Sequence, residues 1–120
     1  MCCMDIRELV RSILDGNLLA ARQWVSDAQH EHLAWNAIPK PIEVSAEELT
    51  VAAAMLELLA ARSGDQPPSW TSSVGAVQEQ MVLDPGLETM PRSFARAKVD
   101  APAPLRRRNL VALPGFLDVA

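Results

Sequence analysis

The stretch from Ser45 to Arg62, S-A-E-E-L-T-V-A-A-A-M-L-E-L-L-A-A-R, constrains the fold of this chain more than any other. Ser45 and Glu48 stand three apart ahead of an apolar run. That is the pattern of a capping box, in which two side chains satisfy free backbone N–H groups at a helix start. Behind it Leu49, Ala52, Ala53, Leu56 and Leu59 make one helical stripe, and Val51, Met55 and Leu58 widen it. A helix apolar around so much of its circumference belongs at the centre of a domain. The small side chains of Ala52, Ala53 and Ala54 let a neighbouring helix come close, and Ser63-Gly64-Asp65 ends the run.

A central helix needs cover, and the segment before it supplies two candidates. Asp5 and Glu8 form another capping box, followed by Ile6, Leu9, Val10, Ile13 and Leu14 at helical spacing. Asp15-Gly16-Asn17 stops that helix, and Asn17 is placed to cap the next. The second helix is predicted over 18–35, with Leu18, Ala21, Trp24, Val25, Ala28 and Trp35 along one face, closed by Pro39 and Pro41.

Past Gly64 the periodicity weakens. Ser69 is placed as the cap of a shorter helix through Val74 and Val77. M-V-L-D-P-G-L-E reads as an extended piece and a turn centred on Pro85-Gly86. S-F-A-R-A-K suits one or two helical turns, D-A-P-A-P is extended, and P-G-F-L-D-V-A suits a final turn. The expected class is all-α: a small bundle of three to five helices with a proline-rich, largely extended C-terminal arm. With 120 residues it is expected to be a single helical domain over 1–120, regular over 5–63 and irregular over 64–120.

Hydrophobic residues at 49% and charged residues at 22% mark a globular chain rather than a disordered one. No apolar run reaches the ~18 residues of a membrane span. The start, M-C-C-M-D-I-R-E-L, lacks the basic and apolar regions of a secretory signal, so a cytoplasmic location without membrane association is expected. Cys2 and Cys3 are adjacent; they close no useful loop and are too few to complete a zinc site.

The charge is unevenly spread. Residues 1–91 carry thirteen acidic and five basic side chains, a net −8. Residues 92–108 carry Arg92, Arg96, Lys98, Arg106, Arg107 and Arg108 against Asp100 alone, a net +5. An acidic body with a basic segment points to an anionic partner, or to a segment that folds back on its own body.

Catalytic constellations are missing from the pattern. His30 and His32 are two apart, so on a helix they point about 200° away from each other and cannot share an ion. There is no Gly-x-Ser-x-Gly elbow, and the five glycines are scattered singly, so no phosphate-cradling loop forms. Glu47 and Glu48 complement a helix dipole. No enzyme, cofactor or metal site is expected. For each of the three tryptophans, Trp24, Trp35 and Trp70, core packing is the ordinary explanation. Trp70, after two prolines, is placed either to pin a loop to the helical body or to anchor a partner.

Arg106-Arg107-Arg108 is the most distinctive block. In an extended segment Arg106 and Arg108 share one side, able to grip two carboxylates or phosphates, while Arg107 faces its own domain. Asn109 adds amide hydrogen bonds, and Leu110, Val111, Leu113, Phe116 and Leu117 add apolar anchors. This mixture favours a protein surface with an acidic pocket over nucleic acid alone.

These residues carry a resemblance. P-L-R-R-R-N-L-V-A-L-P-G-F-L-D-V-A, the upstream P-P-S-W-T-S-S-V and the helix L-T-V-A-A-A-M-L-E-L-L-A-A-R-S-G resemble a group of small bacterial antitoxin-like proteins over residues 45–120. Members often end in Arg-Arg-Asn, an apolar stretch and Leu-x-x-Ala, and are encoded beside a toxin, frequently of nucleotidyltransferase-like fold. The resemblance implies Trp70, Arg107, Arg108 and Asn109 as signature positions. This chain departs from members that carry an N-terminal helix-turn-helix: residues 5–35 make a helical pair without a basic face, which bears against direct operator binding.

The expectation is a cytoplasmic antitoxin-type protein that binds and neutralises a cognate toxin. The contacts fall on Trp70, Arg106, Arg107, Arg108, Asn109, Phe116 and Leu117, with the basic arm docking at an acidic site. A regulator that binds DNA or RNA through residues 92–108, and a self-associating helical homo-oligomer, are the alternatives.

Overall fold

The computed structural model describes residues 5–31, 34–83 and 86–112. Among them are five α-helices and one two-stranded parallel sheet: α1 (Ile6–Leu14), α2 (Leu18–His30), α3 (Ala46–Arg62), β1 (Met81–Val82), α4 (Pro91–Asp100), α5 (Ala103–Arg106) and β2 (Leu110–Val111). Helix α3 starts at the Ser45–Glu48 capping box, with both reciprocal hydrogen bonds made at 3.1 Å. From Thr50 to Ala60 every residue of α3 is buried except Glu57, which is half-buried. α3 therefore packs on several sides at once: against α1, against α5, and against two short 3-10 turns, Trp35–Ala37 and Ser69–Ser73.

Helix α1 turns Ile6, Leu9, Val10 and Ile13 to this core, and α2 adds Ala21, Trp24, Val25 and Ala28. The N-caps fall at Asp5 and Asn17 as expected. Asp5 accepts from the Arg7 backbone N–H at 3.0 Å and from the Arg7 guanidinium, rather than forming a reciprocal box with Glu8. Gly16 takes the left-handed conformation, φ 76°, that lets the chain reverse between the two helices. The second helix ends at His30, not Trp35. Trp35 lies in the separate 3-10 turn, where its indole N–H donates to the Ser63 hydroxyl at the end of α3. Its ring packs at 6.3 Å from that of Trp24. A tertiary contact, not continued helical spacing, places it.

The C-terminal half departs most from expectation. As far as Ala112 it is not an extended arm. The S-F-A-R-A-K segment is a ten-residue helix, α4, with Pro91 in its first turn. D-A-P-A-P, expected to be extended, leads straight into α5, because Pro104 sits in the first turn, where no N–H is required of it. The expected helix after Ser69 is only the 3-10 turn, in which Thr71, Ser72 and Ser73 hydroxyls donate back to the carbonyls of Pro68, Ser69 and Trp70.

The all-α expectation is also corrected by the sheet. Met81 pairs with Leu110 and Val82 with Val111, in parallel, with α4 and α5 forming the crossover that parallel pairing requires. The ladder extends beyond the strands: Val77, Met81 and Leu83 N–H groups donate to the carbonyls of Arg108, Asn109 and Val111. Asn109 holds φ 64°, a left-handed conformation that asparagine tolerates better than most residues, and turns the chain from α5 into β2. Leu105, Leu110 and Ala112 then join the core of α1–α3, while Leu87, Phe94, Ala97, Val82 and Val111 form a second, smaller cluster. No helix among the described residues is long and apolar enough to cross a membrane.

Candidate functional site

Glu57 is the one charged residue in the buried stretch of α3, and it faces the turn after α5. Its Oε2 accepts from Arg108 Nη2 at 3.0 Å. Its Oε1 accepts from Arg108 Nη1 at 2.7 Å and from Arg107 Nη2. Arg108 is 5% exposed and spends its remaining Nη donors on the carbonyls of Pro104, at 3.1 Å, and Thr71, at 2.9 Å. One guanidinium thus ties α3, the 69–73 turn and α5 together. Its Nε is the only buried side-chain nitrogen or oxygen among the described residues without a hydrogen-bond partner.

Burial pushes the Glu57 pKa up, but the hydrogen bond and charge of Arg108 outweigh it. Helped by Thr71 and Arg107, they hold the carboxyl below the usual glutamate value. Removing either member of this pair leaves the other charge largely out of water, which is far costlier than losing a surface pair.

The three arginines of the block therefore do not alternate as an extended segment would. Arg107 and Arg108 converge on the same carboxylate, because the helical turn of α5 replaces the period of two. Arg106 points elsewhere and donates from Nη1 to the Val99 carbonyl at 2.7 Å, close to the C-terminal end of α4. Asn109 donates from Nδ2 to the Val77 carbonyl at 3.4 Å. Trp70 packs half-buried against the core and donates from Nε1 to the Ile38 carbonyl at 2.9 Å, pinning its loop to the helical body. Phe116 and Leu117, and likewise Cys2, Cys3 and His32, lie outside the described residues.

What remains at the surface of the basic segment is α4. It buries only Ala97 and exposes Arg92, Arg96 and Lys98. Arg96 pairs with Asp100 at 3.4 Å, and the Lys98 ammonium lies 4.5 Å from the Phe94 ring centre. Val99, 66% exposed, and Met90, 47% exposed, add apolar surface beside these charges. Arg92, Arg96 and Val99 share one face of α4 while Lys98 points to the Phe94 side, and Arg106, at the α4–α5 corner, is exposed as well.

Neither Glu57 nor Thr71 stood out in the sequence as a site residue. Glu57 was findable: a charge inside a helix read as buried nearly all round needs a counter-charge, and the arginine block is the richest source of one. Thr71 left no signal: its carbonyl accepts from Arg108 and its side chain helps hold down the Glu57 pKa, and neither contact is visible in local spacing. No protein-family model, no curated protein and no solved structure matches this chain.

Proposed function

We propose that this protein is a non-enzymatic, antitoxin-type binding protein that neutralises a cognate toxin, with its basic segment docking at an acidic site of that partner. The observation that carries the proposal is helix α4. Ten residues long, it fully buries only Ala97, packs Phe94 against the second cluster, and exposes Arg92, Arg96 and Val99 on one face and Lys98 on another, with Met90 exposed ahead of its first turn. An exposed helix of that composition suits an acidic protein surface, where cations steer the encounter and apolar side chains hold the docked state. Arg106 is exposed beside the end of α4, whereas Arg108 serves the surface indirectly by fixing α5 against α3. A nucleotidyltransferase-like toxin, whose site gathers carboxylates and nucleotide phosphates, matches the chemistry. The net charge of −4 disfavours nucleic acid as the main partner, since several phosphates would have to be neutralised against an acidic body.

The test is co-expression with the product of the neighbouring reading frame, scored by relief of growth arrest and by co-purification. Arg92→Glu, Arg96→Glu and Lys98→Glu together are expected to abolish both while leaving the circular dichroism spectrum intact. Relief that survives the triple change counts against α4 as the docking surface. Tight, sequence-specific DNA or RNA binding by the chain alone at physiological salt counts in favour of a nucleic-acid regulator instead.

A further inference from the structure

The Glu57 cluster carries one positive charge too many. Two guanidinium groups share a single carboxylate, and that carboxylate already accepts three hydrogen bonds from them. Beside the cluster lies an open cleft of about 230 Å³, between the Arg107–Arg108 turn and the loop that follows the 69–73 turn. It is lined by Glu57, Ser72, Val74, Gly75, Ala76, Arg107 and Arg108, so its only formal charges are those of the cluster. Arg107 is 62% exposed and makes one hydrogen bond among the described residues, leaving most of its donors available.

The opposite wall is held in place. The Gly75 carbonyl accepts from the Thr50 hydroxyl at 3.4 Å, Val74 N–H donates to Thr71, and Val77 N–H donates to Arg108. Between those ties the N–H groups of Gly75 and Ala76 donate to no described residue.

We infer that this cleft is a binding site for a single carboxylate, the side chain of an aspartate or glutamate on a partner polypeptide, held by Arg107 and the Gly75–Ala76 amides. The charge count selects the ligand class. One surplus positive charge is neutralised by a monoanion, whereas a phosphate dianion would leave the cleft negative beside the half-buried Glu57. Val74 and Ala76 give the methylene stem of an acidic side chain an apolar wall. The site is a property of this chain and does not depend on toxin binding, because a free peptide can test it.

The experiment is a titration of the full chain with a blocked tripeptide, Gly-Glu-Gly, and its Gly-Gln-Gly twin, followed through the amide resonances of Gly75 and Ala76 at constant ionic strength. Saturable shifts are expected with the glutamate peptide, with affinity at least roughly tenfold weaker for the glutamine twin. Arg107→Ala is expected to weaken the glutamate peptide by roughly tenfold. Gly75→Asp keeps both arginines and places a competing carboxylate at the cleft. A Cβ there meets nothing within 4 Å, so the fold accommodates the change, and a similar loss is expected. Equal binding of the two peptides, undiminished binding by both variants, or shifts confined to α4 would overturn the inference. Inorganic phosphate binding more tightly than the glutamate peptide would overturn the choice of a monoanion.

Discussion

At the scale of single residues, Arg107 and Arg108 are adjacent, share a carboxylate and differ sharply in burial, at 62% and 6% side-chain exposure. Their removal should differ accordingly. Arg108→Ala leaves Glu57 shielded from water without its main counter-charge and strips two carbonyls of their donor, so a loss of about 3–5 kcal/mol is expected in urea unfolding. Arg107→Ala removes a largely exposed guanidinium and leaves Glu57 its pairing with Arg108, so it is expected to cost less than about 1 kcal/mol. If the two losses prove equal, Arg108 is not the residue that ties α3, the 69–73 turn and α5 together.

The same carboxylate predicts a pH dependence. Glu57 has a folded pKa below its unfolded one, because Arg108 and its neighbours outweigh burial. Its contribution is therefore complete above the unfolded value and lost as pH falls through the carboxylate range to the folded value. Unfolding free energy should decline over that acidic window, and Glu57→Gln should reduce the slope there. Asp5, stabilised as an anion by Arg7, and Glu48, by Ser45, supply what slope remains. A slope in Glu57→Gln as steep as in the parent would assign the acid sensitivity to groups other than Glu57.

At the scale of elements, α3 and α4 sit at opposite extremes. Leu56, fully buried at the middle of α3, has packed neighbours on every side. Leu56→Ala is expected to cost about 2–5 kcal/mol, with the spread set by how far the cavity collapses. Helix α4 is the reverse: reversing Arg92, whose charge has no partner among the described residues, should change stability by no more than about 0.5 kcal/mol. Arg96 is coupled to Asp100 through one exposed i, i+4 pair, worth roughly 0.3–0.5 kcal/mol. An element that can be altered so cheaply without unfolding the chain is free to be shaped by a partner. Thermal melts of the α3 and α4 variants side by side decide whether that contrast is real.

At the scale of the whole molecule, the C-terminal segment belongs to the core rather than hanging from it. Leu105, Leu110 and Ala112 are each no more than 1% exposed and pack in the same cluster as α1, α2 and α3. A chain cut after Arg106 loses β2, the Arg108 clasp and two of those core residues together. It is expected to lose cooperative unfolding altogether, with residues 5–63 no longer giving a single sharp transition. A truncated chain that melts like the parent would restore the picture of an independent helical half with a dispensable arm.

Local chemistry in the sequence was enough for α1, the start of α2 and all of α3. Capping residues at Asp5, Asn17 and Ser45, glycines just past helix ends and an apolar period of 3.6 act within a few residues of one another, so each is legible without knowing the fold. The charge imbalance between residues 1–91 and 92–108 was legible for the same reason, but it left open whether the acceptor lay on a partner or on the chain's own acidic body. Which acceptor, and which arginines, was decided by tertiary structure alone. Glu57 and Arg108 are 51 residues apart, and no local pattern reports a contact at that separation. The β1–β2 pair was hidden likewise: two residues per strand give no period to detect, and the pairing exists only because α4 and α5 carry β2 back beside β1. The prolines of 91–104 read as breakers in one dimension. In three dimensions Pro91 and Pro104 stand in first turns and Pro102 at the cap before α5, where a missing N–H costs nothing, and the described part of the arm becomes two helices that close the core.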